Sequence, residues 1–418
     1  MALIVMKFGG TSVADIERIR HVATRVKVET EAGNRVIVVV SAMSGVTNQL
    51  VDYCLQMNDL VSDAARAEYD QVVASGEQIT SGLLALGLQK LGVKARAWAG
   101  WQIPLTSDSM HSKARIEGIA TEAITASLNK GEVAVVAGFQ GITDEGRIST
   151  LGRGGSDTTA VALAAAFAAE RCDIYTDVDG VYTCDPRIVK RAKKLDKVSY
   201  EEMLEMASLG SKVLQTRSVE LAMNYRVRVQ VLSTFDERLA ASLPGTLLVD
   251  EEELVEKQRV TGIAYSRDEA RVTLTNVENK PGVSASVFGP LADKGINVDM
   301  IVQNVTEDGK STDLTFTVGK SEITRALEIV QSDAGMPKFD KALTDAGVAK
   351  ISVIGVGMRS HAGVAAEMFR TLAEKSINII VISTSEIKIS VLIDEEYIEL
   401  ALRALHTAYG LDAVEEKA

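Results

Sequence analysis

Ala2-Leu-Ile-Val-Met-Lys7-Phe8-Gly9-Gly10-Thr11-Ser12 opens the chain with an almost unbroken apolar run, a lysine, two glycines and two small hydroxyls. A run that is apolar at nearly every position reads as a strand buried on both faces, which is how parallel sheets covered by helices are written. Ile16, Ile19, Val22 and Val26 follow at helical spacing. The pattern recurs at Val36–Val40, Val133–Ala137, Asp173–Thr176 and Val227–Leu232, with a helical, Ala-rich Thr158–Ala169 before the fourth run. The first 235 residues therefore predict one α/β domain with a mostly parallel sheet covered by helices.

The loops after these strands carry the chemistry. Gly9 and Gly10 let backbone N–H groups approach an anion, and the following helix N-terminus adds its dipole. Lys7 places an ammonium at the lip. The lysine precedes the glycines, so this is not the G-x-x-x-x-G-K-[ST] phosphate loop; a tight turn with a solvated lysine is the plainer alternative. Ser41-Ala-Met-Ser-Gly45-Val-Thr47-Asn48 repeats the theme after the second strand, with a simple helix cap as its alternative. Gly152-Arg153-Gly154-Gly155-Ser156-Asp157-Thr158-Thr159 is the most specific segment, because an N-cap explains Ser156 or Asp157 but not an arginine among three glycines. Such an arginine can clamp a carboxylate or phosphate. Thr176-Asp177-Val-Asp179-Gly180-Val-Tyr182-Thr-Cys184-Asp185-Pro186-Arg187 carries Asp-Gly and Asp-Pro turns. Its carboxylates could ligate a metal, though their spacing misses the calcium-loop pattern, and a nucleotide-embracing loop with Tyr182 against a base or ribose and Arg187 at phosphate is the functional alternative. Loops after successive parallel strands share one sheet edge, which is what phosphoryl transfer requires.

Composition limits the partners. The 418 residues are 46% hydrophobic and 24% charged with net charge −12, the profile of a multi-domain globular enzyme. There is no Lys/Arg-rich block, so neither nucleic acid nor an anionic membrane is expected as a partner. Three scattered cysteines and four histidines argue against a disulfide framework or structural zinc. The apolar N-terminus is too short for a signal core or membrane span, and a cytoplasmic location is expected.

The remaining residues contain a repeat. Gly282 and Gly363, Val283 and Val364, and Asn297 and Asn378 are each 81 residues apart. Each copy reads as a strand (Ala270–Thr275; Lys350–Val356), glycine loop, helix, short strand and alternating strand (Thr312–Val318; Ile387–Ile393), that is, a βαββαβ unit. The expected boundaries are 1–235 for the catalytic domain, 236–259 for a linker with a short helix, 260–340 for the first repeat and 341–418 for the second. A strand from about 260–265 is expected to complete the second repeat.

Taken together, Lys7-Phe-Gly-Gly-Thr-Ser, Ser41-Ala-Met-Ser-Gly, Ser75-Gly-Glu77, Gly152-Arg-Gly-Gly-Ser-Asp157, Thr176-Asp-Val-Asp-Gly-Val-Tyr-Thr and Asp185-Pro-Arg187 resemble the aspartokinase family of the amino-acid kinase superfamily. The duplicated half resembles that family's paired ferredoxin-like ACT domains, the first inserted in the sequence of the second. The resemblance implies an amino-acid kinase fold and ATP-dependent phosphorylation of the β-carboxylate of L-aspartate, with Mg²⁺ on the nucleotide and no protein ligand named for it. It implies that Lys7 neutralises charge on the transferring group, Gly9 and Gly10 donate N–H bonds, Ser41 lies near the phosphates, and Asp157 orients Lys7. Thr47, Glu77, Arg153 and Ser156 would hold aspartate, with Arg153 on its α-carboxylate and Glu77 facing its ammonium. Thr176, Asp177, Tyr182, Arg187 and Lys212 would line the ATP pocket. The repeats would bind lysine or threonine, with Asn297, Gln303 and Thr315 near the ligand in the first and Asn378 and Ile379 in the second, in a homo-oligomer. Cys184 and Ala362 depart from the family's usual small residue and proline. A sibling kinase for glutamate, acetylglutamate or UMP would lack the Glu77 and Arg153–Asp157 motifs, and a non-catalytic sensor need not retain Lys7 or Asp157.

Overall fold

A computed structural model describes residues 2–412 except 104, 211–212, 237, 239–243, 255–258, 333–334 and 362, so Lys212 and Ala362 lie outside the described residues. The chain forms two compact units that interleave in sequence: Met1–Val181, Lys194–Ser208 and Lys212–Val255 in the first, Tyr182–Lys193, Leu209–Ser211 and Glu256–Ala418 in the second.

The first unit runs β1 (Leu3–Phe8), α1 (Ile16–Glu31), β2 (Arg35–Val40), α2 (Val46–Met57), α3 (Asp63–Val73), α4 (Ser75–Lys90), β3 (Ala95–Trp98), β4 (Leu105–Ser107), β5 (Ile116–Ile119), α5 (Glu122–Leu128), β6 (Val133–Ala137), β7 (Gln140–Ile142), β8 (Ile148–Thr150), α6 (Gly155–Ala166), β9 (Arg171–Thr176), β10 (Lys197–Ser199), α7 (Tyr200–Ser208), α8 (Thr216–Tyr225), β11 (Val229–Ser233) and β12 (Thr246–Val249). Its main sheet has the order β10-β12-β11-β9-β1-β2-β6-β3, and β4, β5, β7 and β8 form a smaller sheet. All six residues of β1 are buried, as expected for a strand covered on both faces. Ile4, Met6 and Phe8 share a core with Ile19, Val22 and Val26 of α1 and Leu84 and Leu88 of α4. Side chains alternate across a strand, so Val5 and Lys7 face the other way, toward α6. Asp15 caps α1, its side chain accepting from the backbone N–H of Arg18.

The expected linker is corrected here. Thr246–Val249 is not a connection but β12, antiparallel to β11 and parallel to β10. Gly245 allows the turn, because a Cβ there would collide with the carbonyl of Val231. The three-residue apolar run Leu247–Val249 behind Pro244-Gly245-Thr246 is the feature that sequence reading passed over. The 1–235 boundary is also altered, because residues 182–193 leave the first unit between β9 and β10. Cys184, Val189 and Ala192 join the core of the second unit. Thr183 lies beneath its last helix: its hydroxyl meets His406 Nε2 at 2.9 Å, and His406 Nδ1 meets Asp412 at 2.8 Å.

The second unit continues with β13 (Gly262–Glu278), α9 (Val283–Asp293), β14 (Asp299–Val305), β15 (Ser311–Val318), α10 (Ile323–Ser332), β16 (Lys341–Ile354), α11 (Val364–Glu374), β17 (Val381–Thr384), β18 (Lys388–Asp394) and α12 (Ile398–Ala408). Its sheet order is β14-β15-β13-β16-β18-β17. Two long strands serve both repeats. The second half of β13, from Ala270, pairs with β15 and with Lys341–Asp345 of β16, while Gly262–Ser266 pairs with Lys350–Ile354. The first repeat is thus a four-stranded βαββαβ layer from one continuous stretch, about 270–345, and the second takes its outer strand, Gly262–Ser266, from before it, so the first repeat is inserted in the sequence of the second. Gly282 and Gly363, the conserved step of the repeat, sit at φ +91° and +101° before α9 and α11, a conformation side chains with a Cβ rarely adopt.

Lys350, only 4% exposed, joins the repeats by ion pairs to Glu269 at 2.7 Å and Asp299 at 2.6 Å. Removing one partner strands buried charge. Lys350→Met should therefore lower the unfolding free energy by about 3–5 kcal/mol, read from urea unfolding of the full chain. A loss below about 0.5 kcal/mol, the level of an ordinary surface change, would show the cluster to be dispensable.

Candidate active site

The site begins with the register of the parallel strands. Phe8 lies opposite Val40 and Tyr175, Val40 opposite Ala137, and Tyr175 opposite Leu232. All five strands therefore end at one level, and the loops that follow are stitched together there. Gly9 N–H donates to the Tyr175 carbonyl, Ser41 N–H to Phe8, Gly138 N–H to Val40 and Thr234 N–H to Thr176. The carboxyl edge of an open parallel sheet is where such folds bind ligands.

Lys7 and Asp157 meet at this edge. Lys7 Nζ is 2.5 Å from Asp157 Oδ1, with both side chains about 10% exposed. Asp157 lies in the first turn of α6, whose residues Gly155–Ala164 are all buried. Glycines let α6 start so close to the sheet: a Cβ at Gly138 would lie 2.9 Å from the Ser156 side chain, and one at Gly155 would lie 2.7 Å from Phe139. Gly152 and Gly154, at φ +74° and +72°, flank Arg153 and present it as an exposed side chain. Ser156 is buried beside Asp157. A Cβ at Gly9 would lie 3.4 Å from Lys7 Nζ, so the glycine loop passes directly over the ammonium.

Glu77 supplies the second ionisable group. It sits in the first turn of α4, 3% exposed, and its Oε1 accepts from the backbone N–H of Ala42 at 2.9 Å. Its other oxygen, Oε2, is buried with no hydrogen-bond partner. Burial pushes the carboxyl up to about 7, against the downward pull of the Ala42 N–H. A Cβ at Gly76 would stand 2.7 Å from that of Ala42, so α4 packs tightly onto the Ser41–Ala42 loop. Ser41 and Thr47 are half-buried on the same loop and the first turn of α2.

The structure thus brings together Lys7, Gly9, Gly10, Ser41, Thr47, Glu77, Ser156 and Asp157 around one edge, with Arg153 on the adjoining loop. Thr176 and Asp177 follow β9 at the same edge, the Thr176 hydroxyl donating to Asp177 at 3.1 Å. Tyr182 and Arg187 belong to the second unit. There Tyr182 packs against its core, and Arg187 forks onto Asp185, which also accepts from the Tyr265 hydroxyl at 3.2 Å. Cys184 is buried, and burial pushes its thiol up to about 12, so it is no nucleophile. Sequence reading missed Gly138 and Gln140, whose amide donates to the Ala74 carbonyl at 3.1 Å; a glycine directly after the Val133–Ala137 run was the available signal. No group of three or more His, Cys, Asp or Glu side chains among the described residues could hold a metal ion. No helix among them is long and apolar enough to cross a membrane.

In the first repeat, Asn279–Ala285 and Gln303 line a hollow of about 370 Å³ over the Pro281-Gly-Val loop. Gln303 is there, but Asn297 is exposed elsewhere and Thr315 lies within the sheet, its hydroxyl 3.0 Å from that of Thr273. In the second repeat Asn378 is exposed and Ile379 half-buried against the core.

Known proteins extend the pattern to the whole chain. Residues 2–233 match the Amino acid kinase family, and residues 271–335 and 351–409 each match an ACT domain. The chain is 54% identical over 414 residues to an aspartate kinase of Pseudomonas putida, covering 99% of this chain and 98% of that one. It is 46% identical to an aspartokinase of Geobacillus stearothermophilus, covering 98% of each. Its fold matches E. coli aspartokinase III in complex with aspartate and ADP (R-state), with TM-score 0.79, 27% identity, and 97% and 99% of the two chains covered. The form of that enzyme in complex with lysine and aspartate (T-state) matches with TM-score 0.75 and 28% identity, covering 97% and 99%. With identity of this degree spanning both units, the chain belongs to the aspartokinases, aspartate kinases that carry ACT domains.

Proposed function

We propose that the edge around Lys7 transfers the γ-phosphoryl group of ATP to the β-carboxylate of L-aspartate, giving L-aspartyl 4-phosphate and ADP. The buried Lys7–Asp157 pair, set where the glycine loops converge, carries this reading. A carboxylate with an ordinary pKa near ~4 is already ionised at neutral pH, so no general base is needed. One β-carboxylate oxygen attacks the γ-phosphorus, the bond from that phosphorus to the bridging oxygen breaks, and ADP leaves with the electron pair. The difficulty is anion meeting polyanion. Lys7 and the N–H groups of Gly9 and Gly10 offset it, and Asp157 holds the ammonium in line without covering its outer face.

Thr47, Ser156, Arg153 and Glu77 hold aspartate in this proposal. The unpartnered oxygen of Glu77 receives the substrate ammonium, and the guanidinium of Arg153 takes the α-carboxylate as a planar fork. Ser41, Thr176 and Asp177 serve ATP, with Lys212 outside the described residues; Tyr182 and Arg187, expected there from the sequence, belong to the second unit. The described residues do not fit a protein cage for Mg²⁺, so an accompanying ion would be held by phosphate oxygens and water, where it screens their charge. The product's place at the head of lysine, threonine and methionine synthesis makes lysine or threonine the proposed effector. The lysine complex of the E. coli relative supports this, and the hollow at Gln303 is the proposed seat in the first repeat, in a homo-oligomer built through the ACT domains.

An ATP-dependent assay trapping acyl phosphate as hydroxamate tests the reaction. Lys7→Ala should lower kcat by on the order of 10²-fold or more while KM for aspartate changes little; near-normal turnover would remove Lys7 from the mechanism. Glu77 predicts a pH signature. Its carboxyl is raised to about 7, so the form that binds an ammonium is lost as pH falls through 7. KM for aspartate should rise about tenfold per pH unit below that point, and Glu77→Gln should flatten the dependence at a uniformly high KM. Equal slopes in both proteins would sink the assignment. Gln303→Ala should leave kcat without effector near normal and raise the lysine or threonine concentration needed for half inhibition. Unchanged inhibition would place the effector elsewhere.

A further inference from the structure

Asp70, on α3, is fully buried and has no part in the reaction proposed above. Both of its carboxylate oxygens accept from donors distant in sequence. The Ser112 N–H donates to each at 3.0 Å, His111 Nδ1 donates to Oδ2 at 2.8 Å, and the Thr150 hydroxyl donates to Oδ1. A carboxylate accepts at both oxygens, so it satisfies all three donors where an amide of the same size, half of it a donor, does not.

Two of these donors lie where the Arg153 loop begins. Thr150 ends β8, and Leu151, Gly152 and Arg153 follow it directly. Ser112 forms the wall behind Gly152, because a Cβ at Gly152 would stand 3.2 Å from the Ser112 carbonyl oxygen. Ser112 itself sits at φ +70°, in the left-handed region that a residue with a Cβ rarely enters, and Asp70 grips its N–H there. Strain of this kind persists only where the surroundings fix it. The Ala114 N–H adds a further tie, donating to the Thr150 carbonyl at 2.9 Å. Arg153 is exposed, so its place is set by the backbone beneath it and not by packing around its side chain.

The same residue is linked to Glu77. Ala74, the single residue between α3 and α4, keeps helical dihedrals at φ −65° and ψ −17°, and its N–H donates to the Asp70 carbonyl at 3.0 Å. Glu77 follows Asp70 by seven residues, about two helical turns. One aspartate thus ties the helical run that carries Glu77 to the strand that leads into Arg153.

We propose that Asp70 is a positioning residue for substrate recognition: it sets the spacing of Glu77 and Arg153, and with it the fit of the α-ammonium and α-carboxylate of aspartate. The inference rests on the substrate roles given to those two residues above. Being fully buried, Asp70 acts through the loop it anchors.

Steady-state kinetics of the full chain test it. Asp70→Asn keeps the shape but turns amide hydrogens toward a buried donor. KM for aspartate should rise about tenfold or more, since a small misplacement of a binding group is costly. Turnover and KM for ATP should stay within about threefold of the parent, a split that general loosening of the fold does not give. In an Arg153→Ala background the same change should add less than about twofold to KM for aspartate, because residues that act as one unit do not add. Thr150→Val removes one tie and leaves Asp70 its other donors; it should raise KM for aspartate about threefold, and it carries the test if Asp70→Asn does not fold. An unchanged KM for aspartate in either variant that folds, equal losses toward both substrates, or full additivity with Arg153→Ala overturns the proposal and leaves the reading of Arg153 standing. An unaltered KM for aspartate in Arg153→Ala alone overturns that reading, and this proposal with it.

Discussion

The contact between Lys7 and Asp157 organises the first unit. An ammonium and a carboxylate taken out of water together are tolerable only while they touch, so the end of β1 and the start of α6 must stay together. That demand reaches outward. Gly138 and Gly155 are needed because side chains there would push α6 off the sheet, and a Cβ at Gly154 would collide with the Gln215 side chain. The parallel register then sets every neighbouring loop at the same level as the pair.

Buried charge occurs elsewhere in this unit without signalling a site. Asp173 is fully buried, yet Arg171 forks onto it at 2.5 and 2.9 Å and leaves no oxygen waiting. Glu77 differs: one oxygen is satisfied by Ala42, and the other is buried and empty-handed. A carboxylate that is desolvated and only half satisfied gains from a cationic ligand what a satisfied one cannot. Glu29 also keeps a buried oxygen without a hydrogen bond, but Arg171 stands 3.6 Å from it, whereas Glu77 has no ion pair among the described residues.

In the second unit the constraint is shared strand. β13 and β16 each run through both repeats, and the second repeat is completed only by Gly262–Ser266, which precede the first in sequence. A ligand or substitution that shifts one repeat acts on strands the other also uses. Lys350 adds an electrostatic clasp, and Met300, Val348, Val381 and Leu392 close a small core beside it. Residues 182–193 join the same unit through Cys184, Val189 and Ala192, although they fall between two strands of the kinase sheet in sequence.

Much of this was legible beforehand. Near-continuous apolar runs announced β1, β2 and β6, because a strand buried on both faces has no polar side to disguise it, and shorter apolar stretches announced β9 and β11. The glycine loops marked the edge, and the 81-residue spacing marked the repeat. Short strands such as β10 and β12 were not legible, since three or four residues carry too little pattern to separate strand from linker. By itself the sequence determined the parallel sheet, the duplicated βαββαβ half and the residues able to neutralise phosphate, because periodicity and residue chemistry are local properties. Only the tertiary structure decided that residues 182–193 fold with the second unit, that Thr246–Val249 pairs as a strand of the first and that Glu77 keeps an unpaired oxygen. Each of these depends on which distant segments exclude water from one another, and no local pattern in the chain records that.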